Sequence, residues 1–198
     1  PAVGWLAGLG LLTCVQMLIH GRSAVADLPM LLCVAAAQYA LFELLHAEDR
    51  GRWPWGWFYL LYGSLGLGFL AKGPVVFVVP VLTLILYRWV FWRKPLAWRR
   101  LGISLPAGLA LTLLPIAAWG LPALYKTAGL FGRVGLGSHV LERGWKTFDG
   151  HGGFFFYYLI SALFSLFPWI AFLGDGIVAA RRNWNARTAF LVAWITGI

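Results

Sequence analysis

The sequence predicts an all-α fold, a polytopic bundle of transmembrane helices, and three observations predict it. Hydrophobic residues make up 61% of the 198 and charged ones only 12%. The charges gather in short clusters. Between them lie uncharged runs that repeatedly reach the roughly 20 residues a helix needs to cross a hydrocarbon layer of about 30 Å. Tryptophans flank the basic clusters, where amphipathic rings settle at the membrane boundary. An unpaired backbone amide costs several kcal/mol in lipid, so such runs satisfy themselves as helices.

Seven segments follow in order. Residues 1–19 form an apolar run closed by the polar turn His20 to Asp27, and it contains Gly4 and Gly8 at a spacing that lets helix backbones approach. Residues 28–45 open with Leu28-Pro29, suited to a first helical turn, and stop at Glu48-Asp49-Arg50. Residues 53–71 start among Trp53, Trp55 and Trp57, carry Ser64 and Gly68 at the same close-approach spacing, and end at Lys72. Pro74 opens the run 74–92, which ends at Arg93-Lys94; Arg99-Arg100 precede the run 101–124. Pro80, Pro106, Pro115 and Pro168 fall inside spans, which membrane helices tolerate as kinks. A polar loop occupies 125–152, an aromatic run 153–174, and a last run begins at 188 and covers about half a bilayer by Ile198. The expectation is a single membrane domain over 1–198 with about six complete spans plus one truncated. With no basic leader ahead of the first run and an apolar run at the end, the chain is expected to be an internal fragment, truncated at both ends.

The net charge of +9 does not mark a nucleic-acid binder, because the cations flank apolar spans instead of forming one stripe. Alternating the loops puts ten of the 16 arginines and lysines on one side (Arg50, Arg52, Arg88, Arg93, Lys94, Arg99, Arg100, Arg181, Arg182, Arg187) and six on the other. The richer side is expected to be cytoplasmic. The outer face then carries the His20–Asp27 turn, the tight turn at Lys72, and the loop 125–152. Trp53, Trp55, Trp57, Trp89, Trp92 and Trp98 form an aromatic belt beside the cytoplasmic arginines.

Asp27 suits a helix N-cap, yet a carboxylate at the interface also suits a metal ion or a sugar hydroxyl. Lys72 is an ordinary snorkelling lysine or, with Gly73 allowing close approach, a ligand for a lipid-borne phosphate. The long loop mixes Lys126, Arg133, His139, Glu142, Arg143, Trp145, Lys146, Asp149 and His151. That mixture fits solvated loop charge and equally fits a sugar-phosphate site, where arginine forks grip phosphate and acids hold hydroxyls. His139, Glu142, Asp149 and His151 follow no compact zinc spacing. Cys14 and Cys33 read as packed thiols. No Walker loop, dinucleotide glycine pattern or nucleophile elbow is present.

Three stretches together resemble one family. Arg22-Ser-Ala-Val-Ala-Asp-Leu-Pro29, Gly66-Leu-Gly-Phe-Leu-Ala-Lys-Gly-Pro74 with Val79-Pro80 beyond it, and Gly153-Phe-Phe-Phe-Tyr-Tyr-Leu159 through Phe167-Pro-Trp169 are similar, in this order, to motifs of the aminoarabinose-transferase and protein O-mannosyltransferase superfamily, the family 39 glycosyltransferases. The resemblance implies a GT-C-like membrane enzyme of the bacterial inner membrane with its active site facing the periplasm. It would move a sugar from a polyprenyl-phosphate donor to a lipid, glycan or protein acceptor. Asp27 would correspond to the second of two outer-loop aspartates, orienting the acceptor or sharing a divalent cation, the one cofactor this implies. Lys72, Arg143 and His139 would hold the lipid phosphate and sugar. Two departures stand out: the family's first aspartate would precede Pro1, and its His-x-x-Arg element is one residue longer here, from His139 to Arg143. A transporter or flippase is the alternative, and would need ionisable residues midway along the spans; a non-catalytic membrane scaffold would tolerate loss of Asp27 or Lys72.

Overall fold

The computed structural model describes residues 2–23, 25–46, 54–93, 98–132 and 155–197. Every regular element among them is helical. These are α1 (Ala2–Thr13), α2 (Val15–Arg22), α3 (Asp27–His46), α4 (Trp55–Lys72), α5 (Val75–Leu86) continued by a π-helical turn (Tyr87–Phe91), α6 (Trp98–Lys126), the short turn α7 (Leu130–Gly132), α8 (Phe155–Ser165), a 3-10 turn (Trp169–Phe172), α9 (Leu173–Arg182) and α10 (Ala186–Thr196). By length and apolar content, Asp27–His46 and Leu105–Lys126 qualify as membrane spans, and α1 with α2 makes a third if the bent pair counts as one.

Two of the expected spans are interrupted. The run 1–19 divides at Cys14, where α1 and α2 meet at 60° and the backbone is extended, at φ −72° and ψ 147°. The break frees the Val15 N–H, which donates to Phe167 O at 3.1 Å. Trp169 Nε1 adds a bond to Thr13 Oγ1 at 2.8 Å. The run 153–174 in turn stops as an α-helix at Ser165, because Pro168 has no N–H to continue the ladder. The chain then makes the 3-10 turn and enters α9, which ends in the basic pair Arg181-Arg182. Each interruption supplies the polar groups that the other lacks, which is how irregular backbone survives among apolar helices. The last run starts where Asn185 caps it, its side chain accepting from Arg187 N at 2.9 Å and Thr188 N at 3.1 Å.

The packed centre is α3 against α4, with α6 on the other side of α4. Lipid tails are as apolar as leucine, so close backbone approach replaces the hydrophobic effect as the cement. Gly66 shows it: a Cβ there would stand 2.7 Å from Thr112 O. Thr112 Oγ1 returns a bond to Tyr62 O at 3.0 Å. Of the two expected close-approach pairs, Ser64 and Gly68 are buried and Gly68 abuts Val76 and Cys33, whereas Gly4 and Gly8 face open space. Away from these seams the helices present bare leucine, isoleucine, valine and tryptophan, Leu114 and Ile195 among them.

The contacts fix the directions. Asp27 at the start of α3 meets Lys72 at the end of α4, so these helices are antiparallel. Gln38 meets Thr83 and His46 meets Tyr87, so α3 and α5 run parallel. One end of the bundle therefore holds the start of α3, the end of α4 and the start of α5. The other holds the end of α3, the π turn and the start of α10.

Candidate functional site

Asp27 and Lys72 lie 45 residues apart and come together at the first of these ends. Local rules place each of them. Gly73 ends α4 with φ 79°, a left-handed angle that favours glycine, and its N–H closes on Phe69 O at 2.7 Å. Pro74 then starts α5 at once, so Lys72 is held at the tip of a tight helical hairpin. A cation in the last turn of α4 and an anion in the first turn of α3 each sit where the helix dipole favours them.

The Asp27 carboxylate does not cap its own helix, contrary to one expectation. The amide it would take at the second helical position belongs to Pro29, which has no N–H, and the Met30 N–H is committed to Ala26 O at 3.2 Å. The carboxylate turns sideways instead. Lys72 Nζ donates to Oδ1, and His20 Nε2 stands 3.9 Å from Oδ2.

His20 comes from α2 and is held by its own turn. Its Nδ1 lies 3.0 Å from Gln16 O, a carbonyl that can only accept, so Nδ1 carries the proton. Its Nε2 lies 3.3 Å from Gln16 Nε2. Ser165 Oγ lies 3.1 Å from the Gln16 side chain, which ties α8 to the same end. Oδ1 of Asp27 is thus occupied by Lys72, and Oδ2 lies beside His20 Nε2. Oδ2 makes no hydrogen bond among the described residues and could accept one from a hydroxyl or amine.

The side chains of Asp27 and Lys72 are 34% and 44% exposed. An ion pair that open contributes at most about 1 kcal/mol of stability. Stability alone does not explain why α2, α3, α4 and α8 converge there. A divalent cation fits poorly: no three His, Cys, Asp or Glu side chains among the described residues could share one, and the Lys72 ammonium already faces Asp27. His139 and Arg143, with most of the loop 125–152, lie outside the described residues. Sequence reasoning passed over His20, Gln16 and Ser165. The four-residue step from Gln16 to His20 just ahead of Asp27 was a signal for the first two; Ser165 had none.

The other end is of another kind. Tyr87, fully buried, donates to His46 Nε2 at 2.9 Å. Phe42 and Phe190 pack edge to face at 5.3 Å, and Arg88 lies over the Trp89 ring at 5.9 Å. Of the tryptophans expected to form an aromatic belt, Trp55 and Trp89 are exposed at this end, while the cluster around Tyr87 is buried and structural. The charged residues of α3 and α4 sit near the helix ends, and α5 has none, so no charged path crosses the middle of these helices.

Comparison with known proteins follows the same residues. A family model described as dolichyl-phosphate-mannose-protein mannosyltransferase matches residues 1–126. The chain is also similar to curated proteins named undecaprenyl phosphate-alpha-4-amino-4-deoxy-L-arabinose arabinosyl transferase. The one from Enterobacter sp. (strain 638) is 28% identical over 199 residues, covering 98% of this chain and 34% of the relative. One from Sodalis glossinidius (strain morsitans) is 31% identical, covering 92% and 32%, and one from Pseudomonas aeruginosa (strain LESB58) is 30% identical, covering 90% and 32%. The chain spans about a third of the length of these relatives. No solved structure matches it.

Proposed function

The chain belongs to the dolichyl-phosphate-mannose-protein mannosyltransferase family, and from that premise we propose that it forms part of a membrane glycosyltransferase whose donor is a sugar on a polyprenyl phosphate. The full protein would be a GT-C-type helical membrane enzyme, with the Asp27–Lys72 end at the outer face of a bacterial inner membrane and the arginine-rich end in the cytoplasm. The seven apolar runs of 1–198 would be one portion of its membrane domain. The relatives' names make 4-amino-4-deoxy-L-arabinose on undecaprenyl phosphate the first donor to test. The acceptor is a lipid, glycan or protein nucleophile.

One observation carries this reading: an ammonium and a carboxylate from distant helices meet, half exposed, at the rim of an apolar bundle. A lipid-borne phosphate has to stop at that depth. Before the donor arrives, Asp27 keeps Lys72 oriented and neutral as a pair. Lys72 then turns to the phosphate, and its charge stabilises the negative charge that grows there as the bond between the sugar C1 and the phosphate oxygen breaks. The acceptor oxygen forms the new bond to C1 from the opposite face, and its proton leaves to a carboxylate base of the full-length protein. Asp27 Oδ2 orients the acceptor hydroxyl. His139 and Arg143 join the phosphate and sugar contacts from the loop.

Membranes containing the full-length protein, given a radiolabelled polyprenyl-phosphate sugar, test it. Transfer should collapse in Lys72→Ala and fall strongly in Asp27→Asn at equal protein levels. Unchanged turnover in both would overturn the assignment.

A further inference from the structure

The arginine-rich end carries charge that the transferase reading does not use. Arg181 and Arg182 close α9, and Arg187 is the second residue of α10. The turn between them is stapled by its own polar side chains. Asn183 O accepts from Asn185 Nδ2 and from Thr188 Oγ1, each at 3.1 Å, while Asn185 Oδ1 caps α10. Trp184, inside that turn, packs against Phe91 with the ring centroids 6.2 Å apart. Phe91 ends the π-helical turn, so Arg93, two residues further on, stands beside the same corner.

Two properties of this corner call for a partner. Its cations are unneutralised: Arg93, Arg181, Arg182 and Arg187 are exposed, and none of them makes an ion pair among the described residues. Asp175 is at the opposite end of α9, in its first turn. Glu43 lines a cleft with Arg187 but forms no salt bridge with it. The second property is apolar. α9 is exposed along nearly its whole length, and Leu173, Ile177 and Val178 are each about half bare. At ten residues, α9 is too short to cross a bilayer by itself.

A soluble polyanion would satisfy the guanidiniums and leave the apolar side chains uncovered. A lipid surface covers both, since acyl chains take the leucine, isoleucine and valine while phosphates meet the arginines as forked hydrogen-bond acceptors. Trp89 and Trp184, both exposed, mark the depth at which headgroups begin. A zwitterionic headgroup brings an ammonium that these unpaired cations repel, so an anionic one is the better match. The phosphates stay at the surface. In the cleft of about 300 Å³ between α3 and α10, the polar atoms Gln38 Oε1 and Trp194 Nε1 are buried and unpaired, out of reach from outside.

We propose that the corner between α9 and α10 is a docking surface for anionic phospholipid, in the leaflet opposite the Asp27–Lys72 end. Arg181, Arg182 and Arg187 contact the phosphates, and Leu173, Ile177 and Val178 lie against the acyl chains. The surface shares no residue with the Asp27–Lys72 site and does not depend on the transferase reading.

Native mass spectrometry of the detergent-purified full-length protein, titrated with phosphatidylglycerol or with phosphatidylethanolamine of the same acyl chains, tests the proposal. Phosphatidylglycerol should bind at least roughly tenfold more tightly, and each of Arg181→Gln, Arg182→Gln and Arg187→Gln should weaken it by about fivefold. The three substitutions combined should bring the two lipids close to parity. All three side chains are exposed, so the fold should survive their loss. A second measurement needs no variant: raising the ammonium acetate concentration should shrink the preference of the unaltered protein, because exposed charges are screened. Equal binding of the two lipids, a preference that survives the combined substitution, or one that does not respond to salt overturns the proposal.

Discussion

The two ends of the bundle solve opposite problems with similar residue types. At the arginine-rich end a histidine meets a tyrosine: His46 and Tyr87 are knit into a ring of Phe42, Phe190 and Trp92, and every partner is inside the protein. At the other end a histidine meets an aspartate and a lysine, and all three keep a third or so of their surface open. Burial with mutual satisfaction makes a structural joint. Exposure of charges that stabilise little makes a place for something else to bind.

Substitutions can break that comparison. The largest effect is expected at the open end: Lys72→Ala should lower transfer by about a hundredfold, equivalent to about 2.7 kcal/mol of transition-state stabilisation, while the melting temperature in detergent barely moves. A large loss of thermal stability in that variant would make the open end a structural joint too.

Next comes the seam beneath both ends. Gly66→Val must push a side chain into Thr112 O, and overpacking of this sort costs about 1–3 kcal/mol. Thermal unfolding should shift downward, with donor affinity intact in the protein that remains folded. His20→Leu should be smaller, a several-fold drop in turnover recovered in part by His20→Gln, which can still accept from Gln16; equal activity in both variants would remove His20 from the site. The smallest effect belongs to the closed end. Tyr87→Phe loses one bond to His46, about 1 kcal/mol, seen as a modest fall in thermal stability with transfer unchanged.

Much of this was legible in the chain. Apolar runs of bilayer length can only be helices, and glycine followed by proline after Lys72 can only be a tight helical turn, so the outline of α3 to α6 and the positions of Asp27 and Lys72 at helix tips followed from local chemistry. The interruptions did not follow. Cys14 carries no breaker in its own neighbourhood, and the break there is held by Phe167 and Trp169, about 150 residues away. The aromatic run 153–174 likewise read as one span although Pro168 divides it.

The sequence by itself determined that this chain is helical, apolar and membrane-embedded, that its charges lie near the ends of α3 and α4, and, through its motifs, which family it joins. Those properties depend on neighbours within a few residues and on the solvent around them. Only the tertiary structure decided that Asp27 gives one oxygen to Lys72 and leaves the other beside His20, and that Gln38 and Trp194 are left unpaired together. Which partner a polar side chain finds in lipid depends on how helices from distant parts of the chain pack, and periodicity along one helix carries no record of that.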